Sequence, residues 1–219
     1  MTGPESYMVD AAAFRTALAT GLAFAEKSGE IPTLDGVNLR PSDEAGRLVE
    51  VAATNRYVLS VETLPVHDET RAKFETLIPT HIAKRLLALI PAGTKRRPIE
   101  GAVMVSLDAE HRVAVAYVGA GDGFEATVTF PRPGREKAAF VDYRSILDQL
   151  AKTPDDERLS RVHLRPFLLA AVAKTLNART PRETPVAVDV FARNRPITLA
   201  TEDGALTVLL MPVRKETDQ

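Results

Sequence analysis

The stretch of this chain best suited to holding a phosphate is Gly119-Ala-Gly-Asp-Gly123. A phosphate cradle needs such a turn to open a helix, whose first N–H groups and dipole then face the anion. Here the turn joins two strand-like runs, so it reads as a hairpin connection. The histidines His67, His81, His111 and His163 show neither an i,i+4 pairing nor a carboxylate at metal-ligand spacing. The chain has no cysteine, which excludes a disulfide framework, zinc–thiolate and iron–sulfur sites, and a thiol nucleophile. No Gly-x-Ser-x-Gly elbow occurs, and Asp155-Asp-Glu157 reads as a solvated turn in a polar connector. These residues carry no catalysis and call for no cofactor and no metal.

Composition narrows the remaining classes. The 219 residues, 23.8 kDa, suit one large domain or two small ones. With 45% hydrophobic and 26% charged residues the chain is globular rather than disordered or fibrous. The 28 Lys and Arg are matched by 29 Asp and Glu, so any nucleic-acid contact must come from a local arrangement of cations. No apolar run approaches the roughly 20 residues that span a bilayer. Residues Met1 to Asp10 lack the basic-then-apolar pattern of a signal peptide. The expectation is a soluble cytoplasmic protein with no membrane partner.

The elements that would position functional groups follow from periodicity. Phe14, Leu18, Leu22 and Ala25 form an apolar stripe on a helix from Ala11 to about Glu26, with Asp10 as N-cap. Leu34–Arg40, Leu48–Thr54 and Tyr57–Thr63 read as strands separated by hairpin-length breaks. Phe74–Ile78 is a fourth strand, and Pro79 suits the start of a helix with Ile82, Leu86, Leu89 and Ile90 inward. Val103–Leu107, Arg112–Val118 and Phe124–Phe130 are three more strands. This is an internal repeat of one αβββ unit. A polar connector, Arg135–Arg158, carries Phe140-Val-Asp-Tyr143 and a short helix, Arg144–Ala151. A third unit follows: strand Ser160–Leu164, helix Pro166–Leu176, and strands Val186–Phe191, Ile197–Thr201 and Leu206–Met211. The predicted class is α+β, with antiparallel sheets and helices on one face. The predicted division is a two-unit domain over 1–131, a connector over 132–159 and a one-unit partial domain over 160–219.

Four stretches in this order resemble the bacterial β sliding clamp, the processivity subunit of DNA polymerase III. Ile31-Pro-Thr-Leu-Asp-Gly-Val-Asn-Leu39 resembles the opening strand of that family's middle domain. Ala52-Ala-Thr-Asn-Arg-Tyr-Val-Leu59 resembles its Ala-Thr-Asp-Gly-x-Arg-Leu hairpin, and Phe140-Val-Asp-Tyr-Arg144 the junction between its middle and last domains. Leu209-Leu-Met-Pro-Val-Arg214 resembles its C-terminal Met-Pro-x-Arg signature. Residues 6–130 match a middle domain, and 160–214 match the second half of a last one. The resemblance implies the sliding-clamp fold.

It also implies a hydrophobic cleft that receives short Gln/Leu/Phe-type peptides from polymerases, the clamp loader and repair proteins. Its lining here would be Leu34, Thr54, Tyr57 and Leu59 from the first unit and Val141 and Ile146 from the junction. Leu209, Met211 and Pro212 would complete it from the last strand. Aliphatic and Met side chains suit such a groove, since desolvating them supplies affinity and leaves the peptide fit adaptable. Double-stranded DNA would be met weakly and without sequence preference by helix cations Arg15, Lys84, Arg85, Arg165 and Lys174, with Lys95, Arg96 and Arg97 on a nearby loop. Solvated helix faces would produce the same pattern. The first expected function is a non-catalytic tether, retained on DNA if copies of the chain close a ring. The alternative is an adaptor or decoy that keeps the cleft and never encircles DNA.

Overall fold

In the computed structural model the described residues are 5–26, 30–67, 70–94, 98–119, 124–133, 140–152, 164–179, 185–190 and 195–212. The chain opens with a strand that periodicity did not reveal, β1 (Glu5–Asp10). Only Tyr7 and Val9 turn inward there, too few to register as an alternating run, yet both are fully buried. Asp10 then caps α1 (Ala11–Phe24), its Oδ1 accepting the Ala13 N–H at 2.8 Å.

Three strands follow, β2 (Gly36–Pro41), β3 (Leu48–Thr54) and β4 (Val58–Pro65). The second unit repeats the pattern with β5 (Thr76–Pro79), α2 (Thr80–Leu89), β6 (Ala102–Leu107), β7 (Arg112–Val118) and β8 (Phe124–Pro131). The repeating element is therefore βαβββ. The first strand of each unit joins the sheet of the other: β1 pairs with β6, and β5 pairs with β2. This exchange locks the two units together, and the core lies between the sheets, filled from α1 and α2 by Phe14, Leu18, Ile82 and Leu86. Each such side chain contributes about 1.5–3 kcal/mol on burial.

The connector contains α3 (Tyr143–Ala151), one residue longer than expected. The last segment supplies α4 (Pro166–Arg179), β9 (Val186–Val190), β10 (Ile197–Thr201) and β11 (Leu206–Leu210). The strand expected at Ser160–Leu164 and the turn Asp155–Glu157 lie outside the described residues, apart from Leu164. So does the glycine-rich turn beyond Gly119, although the antiparallel pairing of β7 with β8 makes it a hairpin connection.

The last segment does not stand apart. β11 pairs antiparallel with β4, giving a seven-stranded sheet in the order β5-β2-β3-β4-β11-β10-β9 beside a four-stranded one, β1-β6-β7-β8. On one face of the larger sheet Phe24 of α1 and Leu168, Val172 and Leu176 of α4 share a cluster with Val58, Val208 and Leu210. Helix α3 belongs to the connector rather than to a unit and takes the opposite face. No helix among the described residues is long and apolar enough to cross a membrane.

Candidate functional site

The β4–β11 junction brings the first unit and the last together. Thr54 of β3 stands opposite Leu59 of β4, Leu59 opposite Leu209 of β11, and Leu209 opposite Thr198 of β10. Directly opposed residues in antiparallel strands share a face, so these side chains form one row across four strands. Leu59 and Leu209 then join Ala52 and Val61 in a cluster closed by Tyr143 and Leu150 of α3, with Phe140 and Leu147 packed against it.

The Phe140–Arg144 motif explains why α3 sits there. Asp142 caps the helix by accepting the Ser145 N–H. Tyr143 donates its hydroxyl to Glu50 on β3. Arg144 donates to the same carboxylate from Nε at 3.0 Å and to the Pro41 carbonyl at 2.7 Å. Ser42 completes the Glu50 shell, donating to Oε1 at 3.0 Å. Charge-assisted bonds of this kind hold more strongly than neutral ones, so the connector is fastened rather than draped. Burial, reinforced by the Glu50 carboxylate, pushes the Tyr143 phenol well above its ordinary value.

The hairpin that begins β4 is equally specific. Asn55 Oδ1 accepts the N–H groups of Tyr57 and Val58 at 3.1 and 3.0 Å, and Thr54 Oγ1 accepts the Arg56 N–H at 3.2 Å. Arg56 takes a φ of 75°, the left-handed conformation that glycine adopts most easily. The Tyr57 ring lies between two guanidiniums, Arg56 at 5.7 Å and Arg165 at 5.3 Å from its centroid. Just past β11, the Met211 N–H donates to the Tyr57 carbonyl at 2.9 Å.

The predicted cleft residues thus separate into two sets. Thr54, Leu59 and Leu209 are gathered at the junction but buried, the leucines beneath α3. Tyr57, Met211 and Pro212 remain partly accessible at the strand ends, and Val141 and Ile146 are exposed on the connector. Leu34 is buried in the turn before β2, outside the junction cluster. The sequence reading missed Tyr143, Leu147 and Leu150, although their spacing of four and three marks the inward stripe of α3. A cavity of about 730 Å³ opens beside the connector, with Arg40, Phe74, Arg132, Phe140 and Asp142 in its wall, and it includes none of the predicted cleft residues.

Solved structures share this fold. The chain is similar to the DNA polymerase III β subunit of Thermotoga maritima, with a TM-score of 0.67 and 13% identity over 98% of this chain and 67% of that one. A putative DNA polymerase III β subunit from Eubacterium rectale gives a TM-score of 0.67 at 10% identity, covering 99% and 66%. The Pseudomonas aeruginosa DNA polymerase sliding clamp gives 0.66 at 14% identity, covering 98% and 68%. The fold is that of the sliding clamps. At these identities the likeness establishes the fold, and this chain spans about two thirds of the clamp chains it matches. No protein-family model and no curated protein matches the sequence.

Within the clamp fold, the predicted DNA-facing cations have different surroundings. Lys84 and Arg85 project from α2 and Lys174 from α4, all exposed. Arg15 is half-buried, with Nε donating to the Ile90 carbonyl at the end of α2 at 3.2 Å. Arg165 precedes α4 and stands over Tyr57 beside the predicted cleft. Lys95, Arg96 and Arg97 lie outside the described residues.

Proposed function

We propose that this chain is a non-catalytic, clamp-type tether of the cytoplasm. It would hold a DNA polymerase, clamp loader or repair protein through a short Gln/Leu/Phe-type peptide bound beside the β4–β11 junction. The observation that supports this reading is the pairing of β4 with β11, which draws Tyr57 and Met211, far apart in sequence, to one place. Tyr57, Met211 and Pro212 offer an apolar, adaptable surface for aliphatic and aromatic side chains, and Arg56 and Arg165 flank it with positive charge. Leu59 and Leu209 beneath α3 serve as its support rather than its lining.

One observation favours the adaptor form, which never encircles DNA. The exposed side of α1 carries Ala19 and Ala23, and Arg15 is engaged by the Ile90 carbonyl. Among the described helix cations, with Arg165 standing over Tyr57, Lys84, Arg85 and Lys174 remain to face phosphates, and three such contacts give a salt-dependence slope of only about −3.

The test is fluorescence anisotropy with a labelled Gln/Leu/Phe peptide. Met211→Asp is expected to weaken binding by tenfold or more, about 1.4 kcal/mol, while leaving the melting temperature close to that of the parent. Binding unaffected by Met211→Asp and Tyr57→Ala in folded protein would overturn the assignment.

A further inference from the structure

The hairpin between β3 and β4 carries an arginine where its backbone favours glycine. Arg56 holds a φ of 75°, a conformation that glycine enters freely and a side chain enters at a steric cost. The turn itself does not need that side chain. Thr54 Oγ1 accepts the Arg56 N–H, and Asn55 Oδ1 accepts the N–H groups of Tyr57 and Val58. A glycine at 56 would keep all three bonds, because each donor is a backbone N–H. A strained residue that the local structure does not require points to a use for its side chain.

The guanidinium has a definite place. It stands 5.7 Å from the Tyr57 ring centroid, and Arg165, the residue before α4, brings a second guanidinium to 5.3 Å from the same centroid. Arg56, Tyr57 and Arg165 are all exposed. Among the described residues, ion pairs join Arg112 to Asp108 and Glu110 and Arg144 to Glu50, and neither Arg56 nor Arg165 has a carboxylate partner. Two like charges gathered on one ring repel each other. An anion beside them relieves that repulsion and bonds to both.

We infer that Arg56 and Arg165 select a carboxylate, so that the partner segment bound beside the β4–β11 junction carries an Asp or Glu next to its apolar anchors. This rests on the peptide reading given above and adds the charge that the peptide must bring. Met211 donates its N–H to the Tyr57 carbonyl at 2.9 Å, with Pro212 following, so apolar surface adjoins the two guanidiniums. One short segment can set an apolar side chain on Met211 and a carboxylate on the arginines. The guanidinium fork matches a carboxylate at two points, which adds geometric selectivity to attraction. A peptide fits better than a nucleic-acid strand, because the ring that would stack a base already carries two guanidiniums.

Fluorescence anisotropy on the full chain compares two labelled Gln/Leu/Phe peptides that differ in one residue beside the anchors, glutamate or its neutral isostere glutamine. At low salt the glutamate peptide is expected to bind about tenfold more tightly. The advantage should vanish near 1 M salt, where the screening length is about 3 Å. Arg56→Gly and Arg165→Gln should each cut it about threefold or more. Arg56→Gly should do so while raising the melting temperature, since the turn then holds a residue suited to its φ. An arginine with a purely structural role would not combine those two results. Equal binding of the two peptides, or an advantage untouched by both variants, would overturn the inference and leave the peptide site standing. Binding of neither peptide would remove that site and the inference with it. A labelled oligothymidine held more tightly than the glutamate peptide, and released by the same two variants, would assign the pair to phosphate and overturn the inference as well.

Discussion

Residues 5–131 and the last unit are made from the same element, a helix followed by three antiparallel strands, and differ in what surrounds it. In the first region two units exchange strands and pack α1 against α2, so that Phe14 and Leu18 lie in a core shared with the neighbouring unit while Gly21 meets Val37 and Ala53 of the strands. In the last region α4 packs on the sheet and on Phe24 of α1. Its stability comes from the β4–β11 ladder and from the cluster of Leu168, Val172 and Leu176 with Val208 and Leu210. A single unit in this fold thus packs by extending another unit's sheet, and its helix then keeps Phe167 and Leu169 exposed.

The largest expected effect falls in the complete region. A Cβ at Gly36 would stand 2.4 Å from the Ile78 carbonyl oxygen, where β5 lies against β2. Gly36→Val should therefore drive the exchanged strand away and cost about 2–4 kcal/mol in chemical denaturation. A smaller loss would mean that strand exchange contributes less to the first region than its geometry implies.

Next in size is the fastening of the connector. Tyr143→Phe deletes the bond to Glu50, which keeps Arg144 and Ser42, and is expected to cost about 1–2 kcal/mol. The sign of its pH dependence is also fixed. Tyr7 and Tyr143 have phenols raised above the usual 10.0, chiefly by burial. The folded state keeps protons there that the unfolded chain gives up. The stability they confer is full below pH 10 and falls as pH rises beyond it. Melting temperatures measured from pH 8 upward should drop above that point, and Tyr143→Phe should flatten part of the drop.

The smallest effect belongs to the last unit. Phe167→Ser, at a position 63% exposed, is expected to change the protomer's stability by no more than about 0.5 kcal/mol. A large loss in the dilute protomer would show that α4 is already covered within one chain, and the contrast between the two regions would disappear.

Much of this arrangement was legible in the sequence. The α1 stripe, the Asp10 cap and the hairpins follow from local periodicity and turn chemistry. The β1 strand did not, because only Tyr7 and Val9 mark it. The pairing of β4 with β11 left no local trace either, since it joins distant strands whose own alternation is satisfied by either neighbour. The site was half legible for the same reason. Motif likeness proposed Leu59 and Leu209 as cleft lining; the two stand opposite each other, and α3 covers them through Tyr143, Leu147 and Leu150, a stripe visible only once the helix is read for its own period. A charge at Leu59 or Leu209 would consequently disrupt packing, whereas Met211 and Tyr57 probe the surface itself.

The most direct test is hydrogen–deuterium exchange of the full chain with and without a saturating Gln/Leu/Phe peptide. Slowed exchange is expected at residues 54–59 and 209–212 together, because one peptide would lie against both strand ends. Protection confined to either stretch, or falling instead on the cavity lined by Arg40 and Arg132, would contradict that binding mode.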